Sequence, residues 1–239
     1  MKVSVILPGS ASIQNKGVCI AVWTSKDLFW IDAGFTSFKA LSKAKRDCEK
    51  LSGLPLSCCY VSHRHSDHFS DKIAGWLKKL NVAVAEVGQT RSWDLPSVEI
   101  WAWTVRHNPT IPTYGFSVAE PISDKVAAFC IEGRPELSGI PSTYTLDFIY
   151  IEANHDPDLL LRFPQSDYHS QNAQWHLDNK SCGQFLAKCQ PKIAVIGNLS
   201  ESRNTPALAK MDVERLAGME VHLATECEPH KKIPKVWEI

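Results

Sequence analysis

The chain has 239 residues, of which 26 are Lys or Arg and 26 are Asp or Glu, so its formal net charge at pH 7 is zero. Such a chain is not expected to coat nucleic acid non-specifically, because that mode of binding depends on an excess of positive charge. The length suits one large domain, and no linker-like, repetitive or low-complexity stretch interrupts it, so we predict a single domain over residues 1–239.

The cysteines and the apolar segments indicate a cellular compartment. The chain contains 8 cysteines without a Cys-x-x-Cys pair, and several lie in apolar stretches, where a free thiol behaves as a small hydrophobic group. No signal peptide opens the chain, and no apolar run approaches the roughly 20 residues that cross a bilayer. We therefore expect a soluble, reduced, cytoplasmic protein without a membrane partner.

The first part of the chain predicts an antiparallel meander followed by a helix. Three strands separated by polar turns are predicted at 1–7, 18–23 and 28–31. Apolar residues at helical spacing predict a helix over 38–51, and the apolar run at 56–61 is expected to form the next strand. This alternation indicates a mixed sheet with helices on its outside.

A histidine-rich segment directly follows the strand predicted at 56–61. It contains His63, His65, Asp67 and His68 within six positions. In a strand the first two histidines would project to the same side, because the side-chain period is two, and the other two residues would follow at the turn into a helix predicted over 69–80. A polar loop that is rich in histidine by chance is the alternative.

Metal binding is the chemistry that these residue types favour. Imidazole nitrogen and carboxylate oxygen suit divalent transition metals such as zinc, and such a metal can lower the pKa of a bound water to about 7. Asp32, at the end of the third predicted strand, is expected to orient a ligand histidine through its second ring nitrogen. The alternative for Asp32 is an ordinary turn residue.

The remaining sequence predicts several strands and another amphipathic helix. The strands are predicted at 82–87, 98–105, 116–120, 126–131, 148–152 and 193–196, and the helix at 180–188. Three histidines in this part are candidates for the site. His107 follows a strand and precedes a turn, as the histidines of the first segment do; His155 also follows a strand; His176 lies in a polar stretch before the helix.

The order His-x-His-x-Asp-His resembles the signature of the metallo-β-lactamase-fold hydrolases. The resemblance implies an α+β fold of the αββα four-layer sandwich type, with one or two zinc ions, or manganese in their place. The first two histidines, together with a third at the place of His107, would serve one metal, and Asp67 with His68 would serve a second. The resemblance extends to Asp32-x-Gly34 and to a turn at residues 10–15. Because related proteins often pair, a homodimer is also expected.

Three later stretches narrow this resemblance to the YycJ (WalJ) branch. They are Glu-Ala-Asn-His-Asp at 152–156, His-Leu-x-Asn at 176–179 and Leu-Ser-Glu-x-x-Asn-Thr-Pro at 199–206. That branch includes DNA exonucleases and is similar to phage enzymes that hydrolyse cyclic nucleotides. The resemblance therefore implies a nucleotide or a nucleic acid as the substrate.

Two positions depart from the family pattern. Ile131 stands where the family has an aspartate that bridges two metals, and its side chain cannot ligate a metal. Asn198 stands where the family has a histidine, and a carboxamide is a weaker, neutral ligand. Glu132 or Cys130 could replace the aspartate, but either would need a local bulge if the strand alternation continued.

The candidate metal ligands are His63, His65, Asp67, His68, His107, Glu132 and Asn198. Asp67 and His68 are also candidates for general base catalysis. His155 and His176 are candidates for holding a phosphate or protonating the leaving oxygen, and the alternative for both is a structural role that supports the site.

Three functions are compatible with this site. The first is a metal-dependent phosphodiesterase that cleaves a nucleotide or nucleic acid through a metal-activated water. The second is a catalytically degenerate protein of the same fold that binds or sequesters a nucleotide or a partner. The third is a metallo-hydrolase with a lactone or thioester substrate.

Overall fold

The computed structural model describes residues 1–9, 17–87, 95–137, 145–164, 168–226 and 235–239. The turn predicted around Ser10, Ser12 and Asn15 lies outside these residues. The chain divides into two compact units, one made of residues 1–102, 118–125 and 225–239 and the other of residues 103–117 and 126–224. The single domain over 1–239 stays a prediction.

The first unit contains a mixed six-stranded sheet. Its strands are β1 (Lys2–Pro8), β2 (Val18–Trp23), β3 (Leu28–Ile31), β4 (Leu56–Val61), β5 (Ala83–Glu86) and β12 (Val236–Glu238), in the order β12-β1-β2-β3-β4-β5. The strands from β12 to β3 pair antiparallel, and β3, β4 and β5 pair parallel. The predicted meander and mixed sheet are confirmed, and β2, β3 and β4 have the predicted bounds.

Two helices of the first unit pack on this sheet. Helix α1 (Phe38–Ser52) and helix α2 (Asp71–Lys79) contribute Leu41 and Leu77 to a buried apolar cluster with the strands. Helix α2 begins two residues later than predicted, because the Ser70 side chain caps it by accepting the N–H of Ile73. The residues before it form a turn that belongs to the histidine-rich segment.

The second unit contains most of another six-stranded sheet. Its strands are β6 (Glu99–Thr104), β7 (Tyr114–Glu120), β8 (Lys125–Cys130), β9 (Phe148–Glu152), β10 (Ile193–Gly197) and β11 (His222–Leu223), in the order β11-β10-β9-β8-β7-β6. The pairs from β8 to β11 are parallel. The carboxyl ends of β8, β9 and β10 therefore meet at one edge, where the polar residues of this unit gather.

Four helices of the described residues belong to the second unit: α3 (Pro157–Leu160), α4 (Tyr168–Ala173), α5 (Asn179–Cys189) and α6 (Pro206–Ala217). The sequence predicted only α5. Helix α6 has the signals of a helix, with Thr205 as its N-cap, Pro206 in its first turn and Gly218 as its C-cap. Within the part of the chain that the structure describes, no helix has both the length and the apolar character that a bilayer crossing requires.

Candidate metal centre

Asp32 is the centre of a buried hydrogen-bond cluster in the first unit. Its Oδ1 accepts the backbone N–H of Ser62 at 2.8 Å, and its Oδ2 accepts the Ser62 hydroxyl at 2.6 Å. Its Oδ2 also lies 2.9 Å from Nδ1 of His68. Because β3 and β4 are parallel neighbours, their carboxyl ends bring Asp32 and Ser62 together. Asp32 thus occupies the position from which it orients a histidine.

The hydrogen bonds of this cluster define the form of two histidines. The Ser62 hydroxyl has one proton, which it donates to Asp32, so it accepts from Nδ1 of His63 at 2.9 Å. Nδ1 of His68 donates directly to the same carboxylate. Both neutral rings then carry their lone pair on Nε2, which is the form in which imidazole binds a metal. The donor set of the first unit therefore fits a divalent cation.

The other two residues of the histidine segment lie at its more exposed side. Nδ1 of His65 lies 3.0 Å from Nε2 of His63, so these two predicted ligands converge. The Asp67 side chain is 39% exposed, and its Oδ2 lies 3.7 Å from Nε2 of His68. The carbonyl of His65 accepts the N–H groups of His68 and Phe69, which closes the turn. Ligation by each residue stays a prediction.

The backbone of this turn is tied to the neighbouring strands. The carbonyl of Asp67 accepts the N–H of Val18 at 2.8 Å, and the carbonyl of His68 accepts the N–H of Ala33 at 3.0 Å. Gly34 in turn donates its N–H to the carbonyl of Val18. The loop therefore owes its position to main-chain contacts as well as to the Asp32 cluster.

In the second unit, Glu132 reaches the polar cluster without a bulge. Strand β8 pairs with β9 in regular register as far as Cys130 and ends there, one residue before the predicted end, so the assumed alternation does not extend to Glu132. Oε1 of Glu132 accepts from the amide of Asn198 at 3.2 Å, and its Oε2 lies 3.4 Å from Nε2 of His107. The bulge was required only if the strand alternation continued, and that condition is not met because the strand ends at Cys130.

Cys130 is a poor substitute for the family aspartate. Its thiol is fully buried and lies 3.8 Å from the carbonyl of Gly133, to which it donates. Burial raises the pKa of this thiol well above its ordinary value, and the nearby Glu152 and Glu132 act in the same direction. The protonated thiol is not the form in which cysteine binds a metal. Replacement of the aspartate by Glu132 stays a prediction.

Glu152 is a residue that the sequence reasoning missed. It is completely buried, and its Oε2 accepts the backbone N–H groups of Gly133 at 2.7 Å and Leu177 at 2.9 Å. Its Oε1 lies 2.7 Å from Nδ1 of His176 and accepts the amide of Asn198 at 2.7 Å. The sequence signal for it is a glutamate at the end of an apolar strand, directly before Ala-Asn-His-Asp.

Asn198 acts here as a donor between two carboxylates. Its backbone has a φ of 52°, in the left-handed region that asparagine tolerates, directly after β10. Its side-chain nitrogen donates to both Glu132 and Glu152. The ligand atoms of Glu132, Glu152 and His176 lie within 4.8 Å of one another, as do those of Asp32, His63 and His68 in the first unit. Metal ligation by Asn198 stays a prediction.

The other histidines of the second unit differ in their surroundings. Nδ1 of His107 donates to the carbonyl of Trp175 at 3.3 Å, and the ring centroids of His107 and His176 are 5.1 Å apart. Burial lowers the pKa of His107, while Glu132 opposes that shift. His155 is 4% exposed, and among the described residues its Nδ1 has no hydrogen-bond partner. The predicted catalytic role of His155 and His176 stays a prediction.

We expect His155 to make the stability of the protein depend on pH. Burial lowers its pKa below the ordinary value of 6.5, although Asp178 and Glu152 oppose the shift. The unfolded chain therefore takes up the proton first as the pH falls, so the free energy of unfolding decreases from near pH 6.5 downwards until the folded pKa is reached. Urea unfolding of His155→Gln between neutral pH and about pH 5 should show a smaller decrease than the wild type.

His222→Gln is the control, because it also removes one histidine but at a less buried position, in β11. Its stability should depend on pH as that of the wild type does. If the free energy of unfolding of His155→Gln decreased with falling pH as steeply as that of the wild type, His155 would not be buried in its neutral form.

No protein-family model and no curated protein sequence matches this chain. Solved structures match it over nearly the whole length. The metallo-β-lactamase-fold protein YhfI from Bacillus subtilis has a TM-score of 0.69 at 14% identity, covering 99% of this chain and 98% of that one. The short form of human tRNase Z has a TM-score of 0.63 at 16% identity, with coverage of 100% and 99%. Zinc-bound PqqB from Methylobacterium extorquens has a TM-score of 0.58 at 10% identity, with full coverage of both chains (100% each).

These likenesses establish the fold. The chain has the metallo-β-lactamase fold, which confirms the α+β class predicted from the sequence. Identities of 14% and 16% extend no further than the fold, since one fold supports many functions. The narrower assignment to the YycJ (WalJ) branch stays a prediction.

Proposed function

We propose that this protein is a metal-dependent hydrolase that cleaves a phosphodiester bond in a nucleotide or a nucleic acid. The observation that carries the proposal is the Asp32 cluster, in which one buried carboxylate, directly and through Ser62, orients His68 and His63 with Nε2 as the basic atom. A carboxylate that fixes the tautomer of neighbouring histidines is the usual support of metal-ligating imidazoles.

Each unit contributes candidate ligands that suit zinc, with manganese as the alternative. In the first unit these are His63, His65, Asp67 and His68. In the second unit they are His107 and Glu132, together with the predicted Asn198. A bound divalent cation would supply a water of lowered pKa and stabilise negative charge on phosphorus oxygens. One or two ions are compatible with this donor set.

We assign to Asp67 the role of proton acceptor. Its side chain is 39% exposed, so the carboxylate is accessible to water, and its backbone is fixed by the bond from Val18. Its proximity to Nε2 of His68 provides a polar neighbour for the proton that it accepts. In the second unit, Glu152 accepts from Nδ1 of His176, so in the proposed reaction the doubly protonated ring would donate its Nε2–H to a phosphate oxygen.

The choice of a phosphodiester has two supports. One of the proteins with the same fold is a tRNase, and the ligand types of the site suit reactions at phosphate groups. The zero net charge favours a small nucleotide over a long nucleic acid, because a nuclease groove must offset many phosphate charges. A cytoplasmic location and a homodimer remain part of the proposal.

A second candidate function is favoured by Asn198. Because its amide donates to both Glu132 and Glu152, the two buried carboxylates of the second unit are stabilised by hydrogen bonds without a metal ion. This arrangement is compatible with a protein of the same fold that binds a nucleotide without cleaving it. Hydrolysis of a lactone or thioester has no specific support from the contacts of the described residues.

The experiment for the proposed function is the metal content of the purified protein, measured by inductively coupled plasma mass spectrometry after zinc loading. We expect the wild type to retain at least about one equivalent and Asp32→Asn to bind zinc about 10- to 100-fold more weakly, because the orienting carboxylate is lost. His65→Ala should lose a ligand directly, and His222→Ala is the matched control that should bind like the wild type. A wild type without metal, indistinguishable from His65→Ala, would overturn the proposal.

Turnover separates the candidate functions. We expect the manganese-loaded wild type to hydrolyse bis-p-nitrophenyl phosphate and Asp67→Ala to lose this activity while it keeps its fold. Nucleotide binding without product would favour the second candidate. Cleavage of lactones or thioesters with the phosphodiester left intact would replace the phosphodiesterase by the third alternative.

A further inference from the structure

A cavity of about 390 Å³ lies within the second unit, beside helix α5. Its wall includes Arg134, Leu177, Ser181, Gln184, Phe185 and Lys188. This volume is in the range of small-molecule sites, which is about 300–1,000 Å³. The cavity does not include Glu132 or Glu152. It is close to their cluster along the chain, because the wall residue Arg134 lies two positions after Glu132 and the wall residue Leu177 directly follows His176.

The charged groups of the wall favour an anion. Arg134 and Lys188 are its two cations, and Glu136 is its one acidic residue among those of the described wall. Lys188 stands in the last turn of α5 with its side chain exposed. Within the described wall two cations stand against one carboxylate, and the Asp178 carboxylate lies just outside it, 3.9 Å from the Arg134 guanidinium.

Arg134 is held in place but incompletely satisfied. Its backbone is bonded on both sides to Arg106, with N–H to carbonyl distances of 2.9 and 3.2 Å, so the base of its side chain is fixed. Its Nε is buried and has no acceptor among the described residues. The nearest carboxylate in an ion pair with it is Asp178, at 3.9 Å, and that carboxylate caps α5 by accepting from the N–H and hydroxyl of Ser181.

The Arg134 side chain as a whole is 41% exposed, so its outer part can meet an anion in the cavity although Nε itself is buried. Guanidinium groups bind carboxylates and phosphates through two parallel N–H donors, but a phosphate monoester has a third free oxygen that can also accept from the Lys188 ammonium. The amide of Gln184 offers a further donor in the same wall. Phosphate is therefore the anionic group that the polar part of the cavity fits best.

The apolar part of the wall requires more than a free phosphate. Leu177 and Phe185 are buried with 3% and 8% exposure, and Leu137, also in the wall, is 42% exposed. Apolar and aromatic side chains beside a phosphate site suit the sugar and base of a nucleotide. The cavity thus combines contacts for both parts of one small molecule.

We infer that this cavity is a binding site for a nucleoside monophosphate, with Arg134 and Lys188 at the phosphate and the apolar wall at the nucleoside. The choice of a nucleoside rests on the proposed function, whereas the choice of a phosphate rests on the cavity alone. None of the candidate metal ligands is among the described residues of the wall, so binding here does not require a metal.

The test is calorimetric titration of AMP into the full-length protein after removal of metals with EDTA. We expect AMP to bind, and Arg134→Gln and Lys188→Gln each to weaken the binding at least about tenfold, because each removes a charge-assisted contact with the phosphate. The control is Lys180→Gln, an exposed lysine of the same helix outside the wall, which should bind like the wild type. Thermal unfolding of each variant verifies that it is folded.

Different outcomes separate this inference from the proposed function. AMP binding to the metal-free wild type that is lost in Arg134→Gln supports the cavity site even if no phosphodiester is ever cleaved. Failure of AMP to bind, or equal binding by the wild type and both wall variants, overturns it even if the protein holds zinc and hydrolyses its substrate. Equal affinities for AMP and inorganic phosphate would overturn the nucleoside contact.

Discussion

Replacement of Glu152 by alanine is expected to lower the free energy of unfolding by about 3–5 kcal/mol, because it leaves several buried donors without an acceptor. The carboxylate joins segments that are far apart in sequence. It accepts the backbone N–H groups of Gly133 and Leu177, which no other described acceptor receives, and it also accepts from His176 and Asn198. The side chain has no exposed surface, so water cannot enter without a local rearrangement.

The backbone around Glu152 explains why the loss cannot be repaired locally. Gly133 has a φ of 94°, so the chain turns there in a conformation that other residues rarely adopt, and its N–H points to the carboxylate. Leu177 directly follows His176, so the two carboxylate oxygens of Glu152 fix both the backbone at Leu177 and the imidazole ring of His176. The alanine variant should therefore loosen the loops after β8 and before α5 together.

Urea denaturation measures this effect through the midpoint and the slope of the transition. Glu152→Gln retains the volume but replaces one acceptor oxygen by a donor nitrogen, so it should be destabilised to an intermediate degree. The matched control is Glu136→Ala, at an exposed position of the same unit, which should remain within about 0.5 kcal/mol of the wild type. A loss below about 1 kcal/mol in Glu152→Ala would contradict the network.

The sequence was most informative where local pattern and tertiary structure agree. Strand β4 has its predicted bounds because an apolar run is followed at once by polar residues. Asp32 contacts the ring of His68, as predicted for a carboxylate at a strand end beside histidines. The sequence analysis did not predict helix α6, although Thr205, Pro206 and Gly218 are the end signals of a helix.

The partners of the second unit could not be predicted in the same way. Glu132, Glu152 and Asn198 come together because β8, β9 and β10 are parallel neighbours, and strand order is a long-range property that spacing along the chain does not contain. A bulge at Glu132 was required only if the strand alternation continued; because β8 ends at Cys130, that alternation does not decide on which side the Glu132 side chain lies. Small errors in element bounds therefore have large effects on site geometry.

Replacement of Gly34 by alanine is expected to displace the turn that carries Asp67 and His68. A Cβ at position 34 would lie 1.8 Å from the carbonyl oxygen of Asp67 and 2.7 Å from Cα of Gly17. Both are backbone atoms, which cannot move away as a flexible side chain can, and the Asp67 carbonyl is already fixed by its bond from Val18. The clash must therefore separate the turn from the end of β3.

Two readouts should change together in Gly34→Ala. The free energy of unfolding should fall by about 3 kcal/mol or more, since overpacking against backbone costs at least as much as in a side-chain core. Zinc affinity should fall as well, because His68 moves relative to Asp32, which orients it. Gly75→Ala is the control: a Cβ there has no atom within 4 Å, and alanine favours the helix by about 1 kcal/mol, so that variant should be at least as stable as the wild type. Wild-type stability and zinc affinity in Gly34→Ala would show that the close approach of these backbones does not position the histidine turn.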